Sequence, residues 1–290
     1  MRWWAVIAVM GLILVGCAPA SESLASTTTL PSTTTTTTTR EPSSEICLSG
    51  DLPFSGDGLV AALGGEEGDA STISQIRWDT SANCERLTVA FGIASGAPAT
   101  TLGPSAVSVI RYAGIVRVRF PTEVVQSAIA ETLFEGSLVS SVFVVRDKDG
   151  LIFLDVHGTD EVPIEARAFT TTSPATLVID ITRADTAATP VGVTTTGTAV
   201  VVTPTPRTAS YPIVVDGYVE PGLPAVRVQL IQSENVLVDR SVSVNGYTDT
   251  WQSFTSTIDE GPSGTAVLFV GTLDGNEKPH DGAFVSMTME

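Results

Sequence analysis

The chain has 290 residues, room for two domains of ordinary size and for no large one. Its formal net charge of −17 and its two lysines, Lys148 and Lys278, exclude a basic surface able to neutralise a phosphate backbone, so nucleic acid is not an expected partner. The same charge repels anionic wall polymers and lipid headgroups, so adhesion to a membrane has to come from something other than electrostatics.

The first element in chain order is a short charged start, Arg2, followed by an apolar run over residues 3–15 and then Leu14-Val15-Gly16-Cys17. This arrangement resembles the lipobox of bacterial lipoproteins. A small residue at Gly16 lets a peptidase reach the backbone, and the Cys17 thiol takes the lipid. The alternative, a transmembrane helix, needs roughly 20 apolar residues, and Ser, Glu and Thr follow too soon. The expectation is a signal peptide over 1–16, lipidation at Cys17, and export to the outer face of the cytoplasmic membrane. Residues 18–45 are Thr, Ser and Pro with little to bury, a tether that as a flexible coil spans on the order of 30 Å. With Cys17 assigned to lipid, Cys47 and Cys84 remain as a pair in an oxidising setting, which predicts a disulfide. The alternatives are two buried thiols or a metal site, and His157 and His280 are too scattered for zinc-ligand spacing.

From residue 46 to 183, short runs rich in β-branched residues recur between turn residues: 73–78, 87–91, 106–112, 115–120, 142–145, 151–156 and 176–181. Residues 124–134 depart from this pattern. Val125, Ile129 and Leu133 fall at four-residue spacing, which predicts a short amphipathic helix. A second Thr-rich stretch, 184–197, is expected to be a linker. Beyond it, runs at 200–202, 213–219, 226–231, 236–244, 254–258, 266–272 and 283–289 fit an immunoglobulin-like sandwich without cysteines, with Trp251 or Phe254 in its core. The fold class expected is all-β: two β-sandwich-like domains in tandem, 46–183 and 198–290, the second immunoglobulin-like.

Several motifs carry resemblances. Ile73-Ser74-Gln75-Ile76-Arg77-Trp78, the acidic-Arg pair Glu85-Arg86 opening Leu87-Thr88-Val89-Ala90-Phe91, Val116-Arg117-Val118-Arg119-Phe120, and Ala175-Thr176-Leu177-Val178-Ile179-Asp180-Ile181 together resemble the AMIN-like domain of actinobacterial exported proteins over about residues 70–183. The resemblance implies a localisation module of the cell envelope without chemistry of its own. Pro212-Ile213-Val214-Val215-Asp216-Gly217-Tyr218-Val219, Trp251-Gln252-Ser253-Phe254 and Leu273-Asp274-Gly275 are similar to the immunoglobulin-like domain of bacterial spore-germination proteins. That family occurs in exported lipoproteins beyond spore formers and implies no catalytic residues.

Candidate chemistry is sparse. Asp147-Lys148-Asp149-Gly150 has the spacing of part of a calcium loop but lacks the remaining ligands, and a hairpin turn explains it better; Asp274-Gly275 reads the same way. Alternation puts Asp155 and His157 on one strand face, where a carboxylate can orient an imidazole, although no nucleophile-elbow sequence supplies a partner. A surface pair on a half-exposed strand is the preferred account. Glu66, Glu67 and Asp69 read as solvated loop carboxylates. Tyr218, Tyr247 and Trp251 are candidates for binding a sugar ring or a protein, with at least one of them expected in the core. No catalytic residue, metal or cofactor is expected. The function expected is that of a non-enzymatic, lipid-anchored envelope protein whose partner is wall glycan (peptidoglycan) or another exported protein. An enzyme or accessory subunit acting on peptidoglycan is the alternative.

Overall fold

The computed structural model describes residues 47, 52–81, 83–185, 187–205 and 208–290. The expected signal peptide, Cys17 and the tether lie outside the described residues. The fold is all-β, with one 3-10 turn at Arg111–Ala113. Among the described residues no helix is long and apolar enough to cross a membrane.

The first part runs β1 (Gly58–Leu63), β2 (Thr72–Thr80), β3 (Cys84–Gly92), β4 (Ser105–Ile110), β5 (Ile115–Arg119), β6 (Gln126–Ser127), β7 (Glu131–Leu133), β8 (Val139–Arg146), β9 (Ile152–Gly158), β10 (Ile164–Thr171) and β11 (Thr176–Arg183). Strands β1-β4-β5-β9-β8 lie side by side, as do β10-β11-β3-β2-β6. The two-residue side-chain period turns Val116 and Val118 of β5, Leu154 of β9, Val89 of β3 and Ile179 of β11 into one shared core. The second part adds β12 (Thr194–Thr196), β13 (Ala199–Thr203), β14 (Thr208–Ala209), β15 (Ile213–Val219), β16 (Ala225–Gln232), β17 (Asn235–Ser243), β18 (Trp251–Ile258), β19 (Gly264–Leu273) and β20 (Pro279–Met289). Its sheet β14-β20-β19-β16-β17 packs against β18-β15-β13-β12 around Val215, Leu230, Phe254 and Leu268.

The two sandwiches are joined in one sheet. A short parallel bridge pairs Trp251 with Val145 and Gln252 with Arg146, so β8 and β18 link both halves into a ten-stranded sheet. The connection at 184–197 is ordered where described. Ala184 is buried, the Val191 amide donates to the Tyr112 carbonyl, and β12 adds an edge strand to β13.

The helix expected over 124–134 does not form. The Val125 and Gln126 amides both donate to the Ser71 carbonyl, the Ala128 amide to that of Ile73, and the Phe134 amide to that of Ser140. These bonds pull the segment out along the edge of β2 and β8 as the short strands β6 and β7. Val125 and Leu133 stay about half exposed, 49% and 48%, so the supposed apolar stripe has nothing to bury. Sheet-edge partners supplied by the rest of the fold override a local helical period.

The disulfide joins Cys47 to Cys84, with Cα atoms 6.4 Å apart across a sequence separation of 37. Beside it sit the carboxylates that mark β3 and β11. Asp180 accepts from both Arg86 and Arg167. Glu85 accepts from the Trp78 indole, the Ser137 hydroxyl and the amides of Ser137, Leu138 and Val139. That loop passes so close to Glu85 that a Cβ on Gly136 would meet the Val139 carbonyl at 2.4 Å, so only glycine fits. The acidic-Arg pair and the final aspartate thus hold the fold, as the charges of buried groups require.

Candidate functional site

Side chains that point away from each sandwich core converge in a third cluster between the halves. Ile115, Phe143 and Val145 come from the first half, and Val200, Tyr218 and Trp251 from the second. Alternation along β9 sends Phe153, Asp155 and His157 to this side. The preferred surface reading of Asp155 and His157 is therefore corrected: both are buried, because the second sandwich covers the face that a single sandwich would leave wet.

Asp155 accepts two bonds from Arg117, Nε at 2.8 Å and Nη2 at 2.7 Å. The Arg117 guanidinium lies over the Phe153 ring, 4.5 Å from its centroid. His157 Nε2 meets the Tyr218 hydroxyl. Burial lowers the imidazole pKa to about 4, the Asp155 carboxylate opposing and Arg117 assisting, so the ring is neutral near pH 7. Burial, reinforced by Asp155, holds the Tyr218 phenol well above its usual range. The phenol thus keeps its proton and is hydrogen-bonded to His157 Nε2, with the Asp155 carboxylate as a second neighbour. The imidazole is packed against the rings of Phe143 and Tyr218.

The pKa shift sets a pH dependence. The unfolded chain takes up a proton at His157 near pH 6.5, and the folded chain only near 4, so the contribution is complete above pH 6.5 and is lost as pH falls toward 4. The shift corresponds to roughly 3 kcal/mol. Urea denaturation from pH 7 to 4 is expected to show this loss, and His157→Gln, whose amide can pair with the Tyr218 hydroxyl as donor or acceptor, should flatten the slope. Parallel pH profiles for the two proteins would show that other groups govern acid stability.

The two sheet faces diverge beyond the cluster and leave a cleft of about 280 Å³ lined by Tyr112, Arg119, Phe153, Asp216, Ser253 and Thr255. Arg117 reaches its floor. Asp216 is engaged: Oδ1 accepts from the Thr255 hydroxyl at 2.7 Å and Oδ2 from that of Thr203 at 3.3 Å. Arg119 is exposed and has no ion-pair or hydrogen-bond partner among the described residues.

The other candidates separate. Tyr218 and Trp251 are core residues, 1% and 3% exposed, with the Trp251 indole donating to Glu131, so neither offers a face to a ligand. Tyr247 is the exposed one, and its ring is covered on one side by the Arg146 guanidinium at 4.4 Å. Glu66 and Glu67 are exposed, and Asp69 caps a neighbouring loop by accepting the Thr100 and Thr101 amides, which lowers its pKa. Asp147 and Asp274 each accept two backbone amides of their own turns. Among the described residues the one grouping of metal-type ligands is Cys47, Cys84 and Asp180, whose sulfurs are already joined in the disulfide.

Sequence reasoning missed the cleft and its arginines. The alternation Val116-Arg117-Val118-Arg119 was a usable signal, since two arginines on the outer face of one strand are unusual in so acidic a chain. Comparison with family models, with curated proteins and with solved structures found no match.

Proposed function

We propose that this is an exported lipoprotein, anchored through Cys17, that holds a pair of joined β-sandwiches away from the membrane to bind wall glycan or another exported protein. In this reading the first sandwich is an AMIN-like localisation module and the second an immunoglobulin-like one. The observation that supports it best is the division of charged groups. Asp155, Asp180 and Glu85 are each tied to several donors and His157 to Tyr218, whereas Arg119 stands open at the mouth of a preformed cleft. A protein arranged in this way offers a surface and keeps its potential acid-base groups for holding that surface together. The alternative of an enzyme acting on peptidoglycan gains no support from Asp155 and His157.

The test has two arms. Cys17→Ser should move the protein from the detergent to the aqueous phase on extraction, and the soluble mature chain carrying that substitution should be retained by isolated wall or by envelope proteins. Membrane partition unchanged by Cys17→Ser would refute the anchor, and absence of retention by either fraction would refute the binding role.

A further inference from the structure

We propose that the cleft between the sandwiches binds a carboxylated sugar, with the carboxylate on Arg119 and the free edge of Arg117 and the ring hydroxyls on the opposite wall. This rests on the binding role above and deepens it.

The charge comes first. Arg117 spends Nε and Nη2 on Asp155, which leaves its Nη1 edge without an acceptor among the described residues. Arg119 lies two residues further along β5, on the same face, so its side chain emerges about 7 Å away. Arg117 is charge-matched by Asp155, so Arg119 is the guanidinium on this wall without an ion-pair partner among the described residues, and Arg117 adds hydrogen-bond donors beside it. Planar forks of this kind match a carboxylate. The cleft also contains Asp216 and Asp147, already engaged by hydroxyls and by turn amides. They oppose a doubly charged phosphate more than a single carboxylate.

Shape selects the rest of the ligand. Both walls are sheet faces: β5 is paired with β4 and β9, β15 with β13 and β18, and β18 with β15 and β8. β18 pairs with β8 only at Trp251 and Gln252, so one backbone side of residues 253–255 is open where they line the cleft, and a short peptide is the competing occupant that titration with Ala-Ala tests. A flat, rigid ring suits two facing sheets. The wall opposite the arginines presents Ser253, Thr255 and Thr203, while Tyr112, half exposed, stands at the mouth where its ring can stack on a pyranose. A cavity of about 280 Å³ lies just below the usual range for drug-sized ligands and admits one ring, neighbouring rings of a polymer remaining outside.

The mature chain with Cys17→Ser, isotope-labelled, should be titrated with D-glucuronate, D-glucose, the dipeptide Ala-Ala and inorganic phosphate, following amide shifts. Glucuronate is expected to saturate in the millimolar range with shifts centred on Arg119, Thr255 and Tyr112, and glucose to bind at least tenfold more weakly. Arg119→Gln, at an exposed position where folding is not at risk, should weaken glucuronate about tenfold, and Arg119→Lys less. Equal binding of glucose, tighter binding of Ala-Ala or phosphate, no saturable shift, or indifference to Arg119→Gln would each overturn the proposal. Retention of the Arg119→Gln chain by whole wall or envelope proteins separates the two levels. If the parent chain is retained but takes up no glucuronate, the sugar site fails and the binding role stands; if the parent chain is not retained, the binding role fails.

Discussion

Replacing Asp180 with alanine is expected to lower the unfolding free energy by about 3–5 kcal/mol. The carboxylate is fully buried and holds two arginines at once: Arg86 through Nε at 2.6 Å and Nη2 at 2.8 Å, and Arg167 through Nε at 3.0 Å. Arg167 is itself buried, stacks 4.9 Å from the Phe54 centroid, and donates to the Cys47 carbonyl at 2.9 Å. Removing the aspartate leaves guanidinium charge in a poorly solvated place, which costs far more than the original pair contributed relative to an apolar substitute. Asp149→Ala is the comparison. That carboxylate pairs with Lys148 at 2.8 Å on open surface, where such pairs are worth at most about 1 kcal/mol. Equal urea midpoints for the two variants would mean that the Asp180 cluster relaxes or hydrates without penalty.

The second large effect is that of the disulfide. Opening a loop with a sequence separation of 37 returns chain entropy to the unfolded state, about 4 kcal/mol in the loop-closure model. The double variant Cys47→Ser, Cys84→Ser should therefore unfold at clearly lower denaturant than the parent. The two large effects share a structural element, since Cys47 is both a disulfide partner and, through its carbonyl, an acceptor for Arg167. Combining the serine pair with Asp180→Ala is expected to cost less than the sum of the separate losses. A serine pair as stable as the parent would show that the bridge does not constrain the unfolded chain.

Much of the fold was legible because its strands obey a simple period. Val116 and Val118, Leu154 and Val156, or Leu177 and Ile179 announce an inward face wherever β-branched and bulky apolar residues alternate. Strand β10 escaped notice for the complementary reason, since Ile164–Thr171 puts Ala166 and Ala168 on buried positions and alanine carries little strand preference, while β1, Gly58–Leu63, has no fully buried residue to announce an inward face. At 124–134, three apolar residues had helical spacing by chance, and only the carbonyls of Ser71, Ile73 and Ser140 decide the matter. The candidate site was less legible still. Whether the second face of β9 is wet or dry depends on Tyr218 and Trp251, residues distant in the chain, and no local pattern announces that a strand will be covered twice. The disulfide pair was legible once one of the three cysteines, Cys17, was set aside for lipid, which left Cys47 and Cys84.

The short bridge between β8 and β18, with Phe143, Tyr218 and Trp251 clasped behind it, has a kinetic consequence. Two domains on a free hinge would have to close around a ligand, and binding would then include an ordering step and its entropy. Here the opening angle of the cleft is set by interlocked aromatic rings before any ligand arrives. In the proposed binding role, capture is then a diffusional encounter with a waiting shape, and selectivity among ligands resides in how long each one stays.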